Sequence, residues 1–457
     1  MTTLWTAAEI AAATSGIAAA DFAVSGVAFD SREVGPGDLF VALTGESTDG
    51  HRFLDQAFAQ GAAGAIVSQD APYPHVRVAD TAAALNDLGR AARARMTGMV
   101  IGVTGSVGKT SAKEALFAAL DRSLPDRVHR SVKSYNNHTG VPLSLARMPR
   151  DTEVGVFEMG MNHAGELAQL TRLVRPHIAV VTAIAPAHTA FFPDESAIAD
   201  AKGEIFQGLE PGGTAIVPYD SPHRDRLIAA ATPYAARIVT FGLDKGADVH
   251  ALEAMRLPTG GTFVSARIGA RELSFTLSQP GLHWVSNALA VLAAVDAAGA
   301  DLGLAGLALA ELGGLVGRGA RFLAPAAGGD MLVIDESYNA NPASMRATLA
   351  VLAQEPGRHL AVLGEMRELG DDSDAYHAGL AEPIVAARVE TALLVGEAMT
   401  PLVKALEGRV DVVHVPDAAT ALGRLRDLAR AGDAVLVKGS NGVGLSRLVA
   451  GLGGGTT

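Results

Sequence analysis

The chain has 457 residues, no cysteine, and 37 basic against 49 acidic side chains, for a formal charge of −12. At about 150 residues per domain this length suggests about three domains, and 49% hydrophobic with 19% charged residues excludes a disordered chain. The missing cysteines exclude a disulfide framework, a thiolate metal site and a Cys nucleophile, and the acidic balance argues against a nucleic-acid or membrane-surface binder, which needs clustered Lys and Arg.

The Ala-rich start has no Lys or Arg before Arg32 and is interrupted by Glu9 and Asp21, so it lacks the charged leading region of a secretory signal. A helix is expected over 57–63 and a strand over 65–67, preceded by a turn-rich run from Phe29 to Phe40 with Gly35, Pro36, Gly37 and Asp38. Asp80 to Met96 reads as a helix, with Asp80 or Thr81 as its N-cap and arginines at its end. From Met99 strands and helices alternate: strands at 99–103, 154–157, 178–184, 214–217 and 238–241, and a helix at 109–120. Such alternation predicts parallel βαβ units with helices on both faces. The runs 263–268 and 272–277 read as a hairpin and 285–298 as a helix. The most apolar stretch, Leu289 to Val316, carries Asp296, Asp301 and Glu311, which predicts a buried or surface helix and no bilayer span.

A third βα series has strands at 331–334, 359–363, 392–395, 412–415 and 434–437, after a hinge at Gly313-Gly314 to Gly317-Arg318-Gly319. The expected division is 1–82, 83–318 and 319–457. The expected class is α/β, with a phosphate-loop central parallel sheet and a Rossmann-like C-terminal domain.

The strongest local motif is Gly102-Val103-Thr104-Gly105-Ser106-Val107-Gly108-Lys109-Thr110-Ser111, placed between a strand and a helix. Its glycines let several backbone N–H groups face one anion, and the helix N-terminus adds partial positive charge. Lys109 then reaches the outer phosphates and the Thr110 hydroxyl meets Mg²⁺. The strict pattern wants Gly at 103, where Val stands; Gly102 and Gly105 supply the glycines in a shifted frame. Glu158 ends the strand 154–157, at the sheet edge where ligands gather; a carboxylate there holds a hard cation or stands solvated. His188 follows the strand 178–184 at the same edge, as a ligand or a hydrogen-bonded structural residue. Lys202, in Ala201-Lys202-Gly203-Glu204, is a solvated surface lysine unless its pKa is lowered or it is modified.

This phosphate loop resembles that of the Mur ligases, ATP-dependent amide-forming enzymes of peptidoglycan precursor synthesis. Further segments agree: Tyr135-Asn136-Asn137-His138-Thr139-Gly140-Val141-Pro142 and Glu158-Met159-Gly160-Met161-Asn162-His163-Ala164-Gly165-Glu166. So do Asp30-Ser31-Arg32 with Gly37-Asp38-Leu39-Phe40, and Val437-Lys438-Gly439-Ser440. Asp335-Glu336-Ser337-Tyr338-Asn339-Ala340-Asn341-Pro342 and Gly364-Glu365-Met366-Arg367-Glu368-Leu369-Gly370 resemble the branch that adds D-alanyl-D-alanine to UDP-N-acetylmuramoyl-tripeptide. The resemblance spans all three expected domains.

It implies a reaction through an acyl phosphate, with ATP and two Mg²⁺ positions. Thr104 to Ser111 would hold the ATP phosphates, with Thr110 on the first metal. Glu158 and His188 would serve the second, together with Lys202, which matches a lysine that many members carry as a carbamate. Lys109, Glu158, His188 and Lys202 would form the catalytic set. Asn287 matches an adenine-side residue, in a segment with Trp284 where the family usually has Asn. Arg318 and Asp335 match residues brought to the nucleotide by the third domain. Ser31 and Arg32 match the uridine-diphosphate end; Asn136 and Asn137 would face substrate, and Tyr338, Asn339 and Asn341 the dipeptide. A monomer in the cytoplasm is expected. Competing readings are a phosphate-loop ATPase acting as switch or motor, a Mur-type ligase adding a different amino acid, and a non-catalytic binding module.

Overall fold

The computed structural model describes residues 2–45, 48–186, 189–258 and 260–454. Besides a two-stranded pair, Trp5–Thr6 with Ala23–Val24, three larger sheets follow one another along the chain. The first of these has five strands in the order Ile17–Ala18, His75–Arg77, Gly64–Val67, Asp38–Val41 and Gly26–Ala28, parallel except at the Ile17–Ala18 edge. The helix expected over 57–63 lies earlier, at Leu54–Ala59, because Gly61 takes a positive φ of 105° and turns the chain into the next strand.

Helix Thr81–Arg95 is capped by the Asp80 carboxylate, which accepts from Ala82 and Ala83 N–H. The expected division at 82/83 falls at its second residue. Its apolar face, with Leu85, Leu88 and Ala92, shares one core with Val141 and Leu143 of helix Gly140–Ala146. The two helices approach so closely that a β-carbon at Gly89 would stand 3.1 Å from Pro142 backbone.

The second sheet has nine strands. From one edge they run Val128–Arg130, Val154–Glu158, Met99–Thr104, Ile178–Val181, Thr214–Pro218, Arg237–Gly242 and Val249–Arg256, all parallel, then the antiparallel hairpin Thr262–Ile268 and Arg271–Leu277. Val249–Arg256 escapes sequence reading because Ala, Leu, Glu and Met suit a helix; pairing on both sides overrides that preference. The strand expected over 178–184 ends at Val181. Just beyond it, Thr182 N–H still donates to Thr104 O at 2.9 Å, while its hydroxyl donates to Val107 O at 2.6 Å under the phosphate loop. The apolar stretch after Leu289 is two helices, Leu282–Ala297 and Leu302–Glu311, the second capped by Asp301. Among the described residues no helix is long and apolar enough to cross a membrane.

The third sheet runs Ala320–Ala326, Gly329–Glu336, Ala434–Lys438, His359–Gly364, Val389–Val395 and Asp411–Val415. Its first pair is antiparallel and the rest parallel. The antiparallel strand Ala320–Ala326 contains Pro325, which a sheet tolerates at its edge, and the sequence gives little sign of it beyond the hinge glycines. Helices cover both faces of this sheet, around separate cores led by Leu349, Leu363 and Leu436 on one side and Val362, Val435 and Leu448 on the other.

Candidate active site

The C-terminal ends of the central strands Met99–Thr104, Val154–Glu158 and Ile178–Val181 face the third sheet across a cavity of about 530 Å³. The phosphate loop forms its floor, between strand Met99–Thr104 and helix Lys109–Asp121. Gly105 holds φ at 148°, and a β-carbon there would collide with the Thr182 hydroxyl at 2.0 Å. Thr104 Oγ1 and Ser106 Oγ are buried without a hydrogen-bond partner, an arrangement that costs free energy unless a ligand meets them.

Lys109 folds back over this loop and donates to Gly105 O at 2.6 Å. Burial lowers its pKa, Arg318 adds to the effect and Glu158 opposes it. The Thr110 hydroxyl donates to Glu158 Oε2 at 2.8 Å, and Asn136 Nδ2 donates to Glu158 Oε1 at 2.7 Å, so both oxygens of this buried carboxylate are engaged. Ser134 Oγ lies 3.3 Å from the Thr110 hydroxyl and accepts from Arg318 Nη2 at 3.4 Å. The Arg318 guanidinium stacks over the Tyr338 ring, 4.0 Å from its centroid. The Asn287 side chain rests on Gly108, where a β-carbon would come within 2.6 Å of it.

Ser106 to Ser111, Asn136, Glu158, Asn287 and Arg318 line the cavity, as do Tyr338, Asn339 and Asn341. Thr104 and Gly105 sit beneath it. Asn137 turns away: its side-chain oxygen accepts from Thr139 and Gly140 N–H at the start of helix Gly140–Ala146. Asp335 does not reach the cavity either. Its Oδ1 accepts from Ser337 N and Oγ, and its Oδ2 from Gly317 N at 2.7 Å, so it fixes the hinge. Ser31 and Arg32 lie apart on the first sheet's short helix; Ser31 Oγ donates to Gln56, and Arg32 pairs with Asp30 at 2.6 Å while remaining 80% exposed. His188 lies outside the described residues.

Residues not foreseen also line the cavity: Ser134, Glu336 and Lys438. Lys438 Nζ donates to Asn339 O at 2.9 Å and to Glu336 Oε2 at 3.4 Å. Burial raises the Glu336 pKa against the pull of Lys438, and lowers that of Lys438 against the pull of Glu336. Glu336 could have been found from strand alternation, since it is the next residue after Asp335 and faces the other way. His283 is pushed down to about 4 by burial, helped by Lys438.

Family models match in the same order as the sheets. "Mur ligase family, catalytic domain" covers 23–101, "Mur ligase middle domain" 103–295, and "Mur ligase, glutamate ligase domain" 321–441. The UDP-N-acetylmuramoyl-tripeptide–D-alanyl-D-alanine ligase of Escherichia coli K12 is 34% identical over 438 residues, 95% of this chain and 94% of that one. The Bacillus subtilis ligase of the same name is 33% identical over 93% of this chain and 92% of its own length. The chain belongs to the Mur ligase family. Among solved Mur ligase structures, MurF from Acinetobacter baumannii superposes with a TM-score of 0.85 at 33% identity, covering 98% of both chains. MurF from Thermotoga maritima, solved with ADP, gives 0.78 at 26% identity, over 93% of this chain and 96% of that one.

The resemblance to Mur ligases implies Mg²⁺, and the residues fit such an ion. Among the described residues no three His, Asp or Glu side chains cluster into a preformed cage. Mg²⁺ rarely uses such a cage; it takes one or two protein oxygens and completes its shell with water and substrate phosphates. The hydroxyl–carboxylate pair Thr110 and Glu158, beside a loop with unmet hydroxyls, suits that mode. Lys202 is only 1% exposed, on helix Glu195–Gly203. Burial drives its pKa well below the usual lysine value and Lys109 drives it further, with no carboxylate opposing them. The solvated surface lysine expected from sequence is therefore a buried one, in surroundings that disfavour its charged form.

Proposed function

We propose that this chain joins D-alanyl-D-alanine to UDP-N-acetylmuramoyl-tripeptide at the expense of ATP, in the cytoplasmic steps of peptidoglycan precursor synthesis. The observation that carries this reading is identity of about one third, over nearly the whole chain, to ligases of that name. Residues 1–82 take the UDP-sugar end, 83–318 take ATP, and 319–457 close over both and bring the dipeptide. A monomer suffices for this assignment, since one chain carries all three sheets.

A carboxylate does not acylate an amine in neutral water without activation. The terminal carboxylate oxygen of the tripeptide attacks the γ-phosphorus of ATP; a P–O bond forms, the bond to ADP breaks, and an acyl phosphate results. Lys109 swings from Gly105 O to the outer phosphates and disperses their charge, and Arg318 approaches from the third domain's side. Such transfer is catalysed mainly by positioning and electrostatics. The amine of D-alanyl-D-alanine then attacks the acyl carbon, its proton leaves, and phosphate departs as the amide forms. Closure keeps water from the acyl phosphate.

Mg²⁺ bound here would neutralise phosphate charge and draw two anions together. Thr110 and Glu158 would hold the first ion, and Glu158, His188 and carbamylated Lys202 a second. Carbon dioxide adds to an amine in its neutral form, and burial shifts Lys202 in that direction, which supports the carbamate. Intact-mass measurement of native protein tests it, and a bare amine in the metal-loaded enzyme would remove it. Glu336, and not Asp335, is the carboxylate offered to the nucleotide.

The deciding experiment measures ADP release with UDP-muramoyl-tripeptides differing at the third residue, with and without D-alanyl-D-alanine. Release that requires both substrates is expected. Release indifferent to both would overturn the proposal.

A further inference from the structure

Contacts alternate along the segment 133–136, which joins strand Val128–Arg130 to helix Gly140–Ala146. Ser134 meets the Thr110 hydroxyl and Arg318, and Asn136 donates to Glu158. The two residues between and before them reach the other way. Lys133 Nζ donates to Glu33 Oε1 at 2.7 Å, and the Tyr135 hydroxyl donates to the same oxygen at 2.9 Å. Glu33 belongs to the short helix Ser31–Glu33 of the first sheet. One carboxylate oxygen of the first domain is therefore shared by two side chains whose neighbours touch the phosphoryl-transfer centre.

The rest of the junction supports this coupling. The Phe29 and Tyr135 rings meet with centroids 5.4 Å apart. Burial and the Glu33 carboxylate push the Tyr135 phenol up to about 12, so it stays a donor at any physiological pH. From below, Lys113 Nζ, fully buried on the phosphate-loop helix, donates to Ser131 O and Lys133 O, and Lys133 takes a positive φ of 48°. A non-glycine residue there is strained and persists only where its surroundings hold it. The segment is gripped by Lys113 on the ATP side and Glu33 on the UDP side, and its placement depends on both.

We infer that Glu33 is a positioning residue for the ligase reaction: it sets Ser134 and Asn136 against Thr110 and Glu158, and links the UDP-sugar subsite to the phosphoryl-transfer centre. The linkage to UDP-sugar rests on the reading of Ser31 and Arg32 as uridine-diphosphate contacts. The grip on the segment does not.

The test uses the full chain and steady-state ADP release. Glu33→Ala is expected to lower kcat about tenfold while the dissociation constant for the UDP-substrate, measured by calorimetry, stays within about threefold of wild type. Glu33→Gln, which retains an oxygen for the Tyr135 hydroxyl, should recover much of kcat. Adding Tyr135→Phe to Glu33→Ala should cost little more, since the Tyr135 hydroxyl has by then already lost its acceptor. Tyr135→Phe alone deletes a single oxygen, keeps the fold, and should lower kcat without weakening substrate binding. A merely structural role would lower melting temperature and leave kcat of the folded fraction unchanged. Unchanged kcat in both Glu33→Ala and Tyr135→Phe, or losses that simply add, would overturn the proposal. Arg32→Ala is the separate control: full UDP-substrate affinity in that variant would sink the subsite reading and leave the kcat test of Glu33 standing.

Discussion

Arg256 and Glu355 meet at 2.8 Å across the boundary between the second and third sheets. Arg256 ends strand Val249–Arg256, and Glu355 follows the third domain's helix Pro342–Leu352. Glu355 is buried and also takes Arg321 at 2.6 Å, so one carboxylate serves two guanidiniums. Removing the acid from a buried pair leaves an uncompensated charge, at a cost of about 3–5 kcal/mol when fully buried; the partly exposed Arg256 reduces that here. Glu355→Ala is expected to loosen the third domain on the second. Limited proteolysis should cut faster at Gly313–Gly319, and nucleotide affinity should fall about tenfold. Wild-type proteolysis and affinity together would show that this pair does not hold the cleft.

Thr110 offers a narrower test. Its hydroxyl donates to Glu158 and is the only polar group its side chain brings to the site. Thr110→Val keeps the shape and deletes the oxygen. A fall in kcat of about 100-fold, close to 3 kcal/mol of transition-state stabilisation, is expected with little change in melting temperature. Retained kcat across a Mg²⁺ titration would remove Thr110 from the metal's shell.

Much of this site is legible in sequence because its residues sit at strand ends and in a loop of fixed chemistry. Gly105, Lys109, Thr110 and Glu158 are of this kind, and the structure sets the last three around one cavity with Gly105 beneath it. Asp335 and Glu336 show where legibility stops. Adjacent residues on a strand face opposite sides, and only coordinates reveal that Asp335 turns to Gly317 N while Glu336 turns to Lys438. Lys202 is opaque for another reason: it is only 1% exposed, and nothing in its local sequence marks it as buried. Strand Val249–Arg256 is hidden because its residues favour a helix and only its partners make it a strand.

His377 gives a pH prediction. It is fully buried on helix Ser373–Ala378; its Nδ1–H donates to Ser373 O at 2.7 Å and its Nε2 accepts from Met366 N–H at 3.0 Å. Those roles require the neutral ring, and burial lowers its pKa. The sign follows directly. With the folded value depressed, the unfolded chain binds the extra proton as pH drops below about 6.5. Stability is whole above that point and is lost as pH falls toward the folded value, by up to about 1.4 kcal/mol per pH unit for one group. His377→Gln keeps an acceptor for Met366 N–H and cannot titrate. Urea melts at pH 7 and pH 5 should show a smaller acid loss in the variant, with a remainder from His129 and His283, both pushed down to about 4. Equal losses in the two proteins would show that His377 does not contribute.

The two tryptophans supply a built-in reporter of the cleft. Trp5 is buried in the first domain, its Nε1–H donates to Ala146 O at 2.9 Å, and Arg95 covers its ring. It does not line the cavity. Trp284 instead lines the cavity beside Asn287 and faces the hinge, where a β-carbon at Gly319 would stand 3.2 Å from its ring. Gly319 holds φ at 91°, a conformation that leaves the hinge backbone close to the indole. Nucleotide binding and hinge movement therefore both change the surroundings of Trp284 and not those of Trp5. ADP titration should alter the emission of wild type and of Trp5→Phe alike, and should leave Trp284→Phe flat while calorimetry still detects binding. A full emission change in Trp284→Phe would place the nucleotide's optical signal at Trp5, and with it a movement of the first domain that the present contacts do not provide.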